Sequence, residues 1–335
     1  MSISPPTARS EAARIFNSAV AAFAIAAAWE LGAMDELHRS GALDARRFAI
    51  DNGLDEQSTL GLCRALAAVG VVDRDGARVS AGPNFAEIHR NRSFFHWLAR
   101  GSAELFRDLP TVIRTANRTG DFYQRDGAAI AYACREINTL CYEPSFQKAM
   151  AGLGCEFRVV ADLGSGSGER VMDVLRRYPG TRGIGVDIAA SAVDMAQREA
   201  DRTGLADRVT FLRADVLRLA PRPEFNEVEL ITCFMMGHDF WPKERCVDTL
   251  RLLRRMFPKA RRFLLGDATR TSGIPDTELP VFTLGFELAH DLMGVYLPTV
   301  QDWESVFEAG GWSVRATYPI DLTVGEVIFE LQPSR

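Results

Sequence analysis

The run Asp162-Leu163-Gly164-Ser165-Gly166-Ser167-Gly168 sits between a short apolar stretch, Arg158 to Leu163, and a helical pattern from Glu169 to Tyr178. Glycines in that place make a strand-to-helix turn in which a ligand can approach the backbone. A dinucleotide-binding turn has the spacing G-x-G-x-x-G, its third glycine easing helix-to-strand packing beside a pyrophosphate. Here the spacing is G-x-G-x-G, and Glu169 occupies the later position. An acidic flank disfavours a diphosphate and suits a zwitterionic amino acid bearing a sulfonium.

Outward from this turn, Gly183 to Ile188, Val209 to Arg213, Val228 to Phe234 and Arg262 to Gly266 read as further short apolar strands separated by helical stretches. Such alternation predicts an α/β fold with a doubly wound, Rossmann-like parallel sheet, whose ligands lie beyond the carboxyl ends of the strands. Asp187 closes the second strand, where a carboxylate can accept from ribose hydroxyls, and Asp215 follows the third, where one can accept from an adenine amino group.

The chain has 335 residues, 47% of them hydrophobic, enough for one large catalytic domain and a smaller one. A net charge of -5 argues against a nucleic-acid partner, because phosphate binding needs a concentrated Lys/Arg surface. The six cysteines form no C-x-x-C pair, so neither a disulfide scaffold nor a thiolate zinc site is expected. The apolar run Ala19 to Trp29 lacks a cleavage site and is too short to span a bilayer, so a cytoplasmic protein without a membrane partner is expected.

The front of the chain reads differently. Glu11 to His38 is Ala-rich and apolar on nearly every side, predicting one long helix covered by partner helices from a second subunit, hence a homodimer. Helices near Asp44 to Asn52 and Glu56 to Val69 precede a hairpin, Val71 to Ser80, that turns at Asp75-Gly76. This is a winged-helix order, yet its second helix opens on Asp55 and Glu56 with only Arg64 to meet a phosphate, which argues against a DNA groove reader. Further helices are expected from Phe94 to Ala116, interrupted at Pro110, and from Phe122 to Met150. The expected division is a helical, winged-helix-like dimerisation domain, 1–116, and a catalytic domain, 117–335.

The glycine turn with its strand-end acids resembles that of the class I S-adenosylmethionine-dependent methyltransferases. That resemblance implies Asp162, Gly164, Gly166, Asp187 and Asp215 as cofactor contacts. Met235-Met236-Gly237-His238-Asp239-Phe240-Trp241 is similar to the His-Asp-Trp stretch of small-molecule O-methyltransferases, in which the histidine is the general base. A longer resemblance, from about Ala12 to Glu330, is carried by Phe94-Phe95-His96-Trp97-Leu98, Phe122-Tyr123-Gln124-Arg125-Asp126, Leu264 to Arg270 and Phe286-Glu287-Leu288-Ala289-His290-Asp291. These segments look like the 2-oxo acid C-methyltransferases, which methylate the carbon next to a keto group.

The longer resemblance implies a metal, iron or zinc, held by His238 and His290. It also implies Arg125 on the carboxylate of a 2-oxo acid substrate, Trp97 as a pocket wall and Met235 beside the metal. A Lewis acid on the keto oxygen would stabilise an enolate, whose carbon attacks the sulfonium methyl. Asp239 and a metal-activated water are both candidates for the base, and Asp239 also stands where it could cap the helix after Pro242. The alternative reading is a metal-free O-methyltransferase with His238 as general base and His290 merely packed. A second alternative is a non-catalytic dimer that uses its winged helix as a regulator.

Overall fold

The computed structural model describes residues 8–320 and 326–334. The chain forms two compact units, Met1–Asn138 and Thr139–Arg335. The division lies beyond the expected boundary at 116/117. The segment after it contributes the helix Gly127–Ile137, which packs against the helix Arg92–His96 and the turn Trp97–Gly101 of the first unit.

In the C-terminal unit the predicted strands form where their β-branched and aromatic residues place them: β4 (Val159–Leu163), β5 (Arg182–Asp187), β6 (Val209–Arg213), β7 (Leu230–Phe234) and β8 (Arg262–Ala268). They pair in parallel in the order β6-β5-β4-β7-β8. Every residue of β4 and of β7 is buried, as expected of strands covered on both faces. The sheet is mixed rather than purely parallel. Two antiparallel strands, β9 (Trp312–Pro319) and β10 (Glu326–Pro333), extend it to seven in the order β8-β10-β9. The edge strand β9 exposes much of its length, so it carries no continuous apolar run for a sequence reading to find. Phe263, Leu265, Trp303, Phe307, Trp312 and Phe329 fill the core against this half of the sheet.

The N-terminal unit holds the expected hairpin, β2 (Val72–Asp75) and β3 (Arg78–Ala81), with a third strand, β1 (Ala42–Asp44), paired to β3. Asp44 and Asp55 cap the helices Ala45–Asp51 and Glu56–Ala67 through backbone N–H groups two and three residues on. Three helix expectations are corrected. The long N-terminal helix is two, Ala8–Glu30 and Ala33–Ser40, because Gly32 at φ 82° leaves the helical region between them. Pro110 does not interrupt a helix but stands in the first turn of the short helix Leu109–Val112, where its missing N–H costs nothing. The helix expected from Phe122 begins only at Gly127, where Asp126 accepts from the N–H groups of Ala128 and Ala129, and it passes through a π-helical turn, Asn138–Tyr142, before the helix Glu143–Gly152.

With 23 residues, the helix Ala8–Glu30 is long and apolar enough to cross a bilayer, so the length objection raised from the shorter run does not hold. Its Ala24, Ile25, Ala28 and Trp29 instead join a protein core with Met34, Leu37, Leu66 and Val79. Its N-terminal half is uncovered, with Ile15, Phe16, Val20 and Phe23 exposed.

One buried ion cluster ties the added strands to the rest. Glu330 of β10 is fully buried and accepts from Arg262 Nε (3.0 Å) of β8, Arg315 Nη1 (2.6 Å) of β9 and the Tyr318 hydroxyl (2.9 Å). The same two arginines also donate to the carbonyls of Leu153 and Gly152, at the end of the helix Glu143–Gly152. Glu330→Ala leaves two arginines facing a void, and a loss of about 3–5 kcal/mol in urea unfolding is expected. A loss below about 1 kcal/mol would show that the guanidinium groups are satisfied elsewhere.

Candidate functional site

The glycine turn is held from below by β5. Gly164 and Ser165 donate their N–H groups to the Val186 carbonyl, and Gly166 N–H donates to Asp187 Oδ2 (2.9 Å) while Ala189 N–H takes Oδ1 (2.9 Å). Asp187 therefore braces the turn as well as closing the strand. Gly164 has φ 69°, and a Cβ there would lie 2.7 Å from Met236 Sδ, so only glycine fits beneath that side chain. Gly166 has φ 51°, and a Cβ there would meet nothing within 4 Å, which leaves open space above the backbone for a ligand. Asp215 caps the turn Val216–Arg218, accepting from Leu217 N–H (2.9 Å), at the end of the neighbouring strand.

Asp162 stands in β4, one residue before its end. It is 3% exposed and accepts from the Thr232 hydroxyl at 2.6 Å. Burial pushes its carboxyl up to about 6, an effect moderated by the Arg170 charge and the Thr232 hydrogen bond and reinforced by Asp187. Arg170, itself buried, lies over the Phe234 ring (3.6 Å to its centroid) and near Phe146 (4.8 Å). The cation is compensated by ring faces as well as by Asp162. Together the pair stiffens the floor of the turn.

The second part of the site follows β7. Met235 adopts φ 54°, uncommon for a side chain with a Cβ, while its N–H bonds the Gly266 carbonyl and its sulfur accepts from the Tyr142 hydroxyl (2.8 Å). This bend leads into the 3₁₀ turn Gly237–Phe240 and brings His238 back over β8. There His238 Nδ1 meets Asp267 Oδ1 at 2.7 Å; Asp267 is fully buried and also accepts from Ala268 N–H. A Cβ on Gly237 would come within 2.7 Å of Asp267 Oδ2, so the approach requires glycine at 237. Because a carboxylate oxygen accepts, Nδ1 carries the hydrogen and Nε2 keeps the lone pair.

His290, on the helix Thr283–Met293, is buried, and its Nδ1 is 2.8 Å from the Phe286 carbonyl, which assigns it the same tautomer. The His238 and His290 rings stand edge to face with centroids 5.2 Å apart. Imidazoles whose Nδ1–H is fixed by a carboxylate or carbonyl are of the kind that ligate metals through Nε2. Among the described residues no group of three or more His, Cys, Asp or Glu is placed to hold a metal ion. The fit therefore extends to two imidazole donors, with any further ligands coming from solvent or substrate.

For His238, burial disfavours the charged ring, but the Asp267 charge, its hydrogen bond and Asp239 outweigh this and raise the pKa above the ordinary histidine value. Asp239 lies in the 3₁₀ turn, exposed on its outer side. Crowding removes enough hydration to raise its carboxyl, a shift opposed by His238 and Arg245 and aided by Asp267. It is not the cap of the following helix, Lys243–Met256, whose N-cap is Pro242.

His238, Asp239, Met235 and His290 are thus gathered in the C-terminal unit, with the glycine turn, Asp187 and Asp215. Arg125 and Trp97 belong to the N-terminal unit, where they meet each other, the guanidinium carbon lying 5.1 Å from the indole centroid. Asp291, next to His290 in the chain, pairs with Arg270 on the surface. Sequence reading gave no role to Asp267, Arg170 or Tyr142. Only for Asp267 was there a signal, an acid at the carboxyl end of a buried strand.

The family model described as "Methyltransferase domain" matches residues 160–259. The chain is similar to the methyltransferase ungE' of Aspergillus campestris (strain IBT 28561), at 47% identity over 96% of this chain and 96% of that protein. Similarity to the indolepyruvate C-methyltransferase of Streptomyces griseus is 29% identity over 86% of this chain and 84% of that protein. Among solved structures, the mitomycin 7-O-methyltransferase MmcR matches with a TM-score of 0.69 and 22% identity, covering 98% of this chain and 98% of that one.

Asp267→Asn removes the charge that favours the His238 imidazolium while keeping the side chain's size. The expected result is a lower His238 titration midpoint, read from the ring resonances by NMR. An unmoved midpoint would mean that Asp267 does not control this histidine.

Proposed function

The chain belongs to the S-adenosylmethionine-dependent methyltransferases and carries their class I fold, and from that premise we propose that it methylates C3 of a 2-oxo acid, phenylpyruvate-like or branched aliphatic. The observation that carries the proposal is the pair His238 and His290. An O-methyltransferase needs one basic histidine, whereas here a second, buried histidine has its tautomer fixed in the same sense a ring's width away. Similarity to an indolepyruvate C-methyltransferase supports the same reading.

The chemistry is a two-step exchange. The C3–H bond of the oxo acid breaks, its proton passes to a base, and its electrons form the enolate. The C3 carbon then attacks the sulfonium methyl, the S–CH3 bond breaks, and S-adenosylhomocysteine leaves. A metal, iron or zinc, held by Nε2 of His238 and His290, would supply Lewis-acid stabilisation of the developing oxyanion. With Nε2 of His238 so engaged, Asp239 is the base, its raised pKa bringing it closer to the carbon acid it must deprotonate. Its working carboxylate form appears only above that raised pKa, so activity rises with pH through the range just above the ordinary carboxylate value.

The Asp267–His238 pair favours a second reading. A metal-free O-methyltransferase would use His238 Nε2 to take a phenol proton, with Asp267 steadying the cation that forms. The uncovered apolar face of the helix Ala8–Glu30, with Phe16 and Phe23, supports a homodimer through that helix.

His290→Ala separates the two reactions. The C-methylation reading expects bound metal to be lost, turnover of a 2-oxo acid to fall about 10³-fold or more, and S-adenosylmethionine affinity in calorimetry to stay within about twofold. No turnover of a 2-oxo acid by the wild type, with full turnover of a phenol after chelator treatment in wild type and variant alike, overturns it in favour of the O-methyltransferase. For assembly, light scattering is expected to give a dimer mass for the wild type and a monomer mass for Phe16→Asp with Phe23→Asp; a wild-type monomer at micromolar concentration overturns the dimer.

A further inference from the structure

The turns that follow β4 and β7 leave the sheet side by side, because Leu163 at the end of β4 pairs with Cys233 near the end of β7. One carries the glycines, and the other carries His238 and Asp239. Methyl transfer needs the two in fixed relation, since the donor belongs over the first, where Gly166 leaves open space, and the acceptor loses its proton at the second. On its β8 side the second turn is well tied. Met235 N–H donates to the Gly266 carbonyl, Gly237 lies against Asp267 and Leu265, and His238 meets Asp267. All of these ties lead to β8.

Met236 leads to the glycine turn instead. A Cβ on Gly164 would lie 2.7 Å from Met236 Sδ and 3.3 Å from both its Cβ and its Cγ, so the side chain runs along the bare face of Gly164 for most of its length. Gly164 is itself held, at φ 69° and by its N–H bond to the Val186 carbonyl of β5. The bend at Met235, φ 54°, sends two adjacent methionines to different partners, Met235 to Tyr142 and Met236 to Gly164. At its other end Met236 is the N-cap of the 3₁₀ turn Gly237–Phe240, and its carbonyl accepts from Asp239 N–H (3.0 Å). One residue thus meets the glycine turn with its side chain and the His238 turn with its main chain. The side chain is partly buried against the core, and an unbranched, polarizable thioether suits a gap against bare backbone.

We propose that Met236 is a positioning residue that couples occupancy of the cofactor site to the stability of the turn bearing His238 and Asp239. A ligand over the glycine turn restrains Gly164, Gly164 restrains the Met236 side chain, and Met236 holds the 3₁₀ turn closed through the bond from Asp239 N–H. Asp267 sets the plane of the His238 ring, whereas Met236 sets how seldom the turn opens. Both candidate bases lie in that turn, so the link does not depend on whether a carbon or an oxygen is methylated. Its consequence is an order of events, in which the base is steadied once the methyl donor is in place.

The test follows hydrogen–deuterium exchange by mass spectrometry in peptides spanning 163–168 and 235–241, with and without S-adenosylhomocysteine, and takes the affinity by calorimetry. It needs no acceptor. In the wild type the ligand is expected to slow exchange in both peptides, by about fivefold or more at 235–241. Met236→Ala is expected to bind S-adenosylhomocysteine within about fivefold of the wild type and to keep the slowing at 163–168, while the slowing at 235–241 falls below about twofold. Met236→Val, a milder truncation that also lacks a δ atom, carries the same expectation. Met236→Leu restores a δ atom without the sulfur and is expected to recover the wild-type pattern, which ties the effect to contact with Gly164. Equal slowing at 235–241 in the wild type and the truncated variants, no slowing there in the wild type, or a leucine variant that stays uncoupled overturns the proposal. So does an affinity loss beyond about fivefold in both Met236→Ala and Met236→Val, because the side chain is then a wall of the cofactor site and not a link.

Discussion

A carboxylate without solvent contact, Asp267, governs the arrangement around the reacting end of this protein. Taking such a group out of water is costly unless strong donors meet it, and here the donors are an imidazole Nδ1–H and a backbone N–H. The requirement propagates outward. The turn after β7 must pass so close that residue 237 has no Cβ, and the chain must bend at Met235 through a conformation that side chains seldom adopt. His238 is thereby fixed in ring plane and tautomer before any ligand arrives. Preorganisation of this kind makes a dipole or a base useful in a transition state, because no reorganisation is left to do.

The glycine turn repeats the device at the other half of the site. Asp187 neutralises two backbone N–H groups of the turn and of the following segment, and the buried Asp162 and Arg170 lie beneath it with aromatic faces on the cation. Both halves depend on parallel pairing, which places the ends of β4, β5, β7 and β8 along one edge and lets groups distant in sequence share it. In the antiparallel pair β10-β9, Glu330 is tied through Arg262 and Arg315 to β8 and to the helix preceding β4.

The N-terminal unit meets a different demand. Its first helix packs one face of its C-terminal half into a local core and leaves Ile15, Phe16, Val20 and Phe23 exposed. A surface of this kind is seldom left to water in a soluble chain. The elements that follow have a winged-helix order, and the helix Glu56–Ala67 opens on Asp55 and Glu56.

The sequence by itself determined the parts whose signal is local. Runs of buried residues marked all five parallel strands, the glycines marked the turn, and acids at strand ends marked Asp187 and Asp215, because backbone preference and burial are written residue by residue. Resemblance drew out His238, His290, Arg125 and Trp97, with no geometry to rank them. Tertiary structure decided the rest. It broke the first helix at Gly32, buried Asp162 against Thr232, and denied Asp239 the role of helix cap. It chose Asp267 as the partner of His238, 29 positions away, and placed Tyr142 on Met235 across 93. Such pairs leave no periodicity in a chain, since a hydrogen bond between side chains from separate elements depends on distances that exist only once those elements have packed.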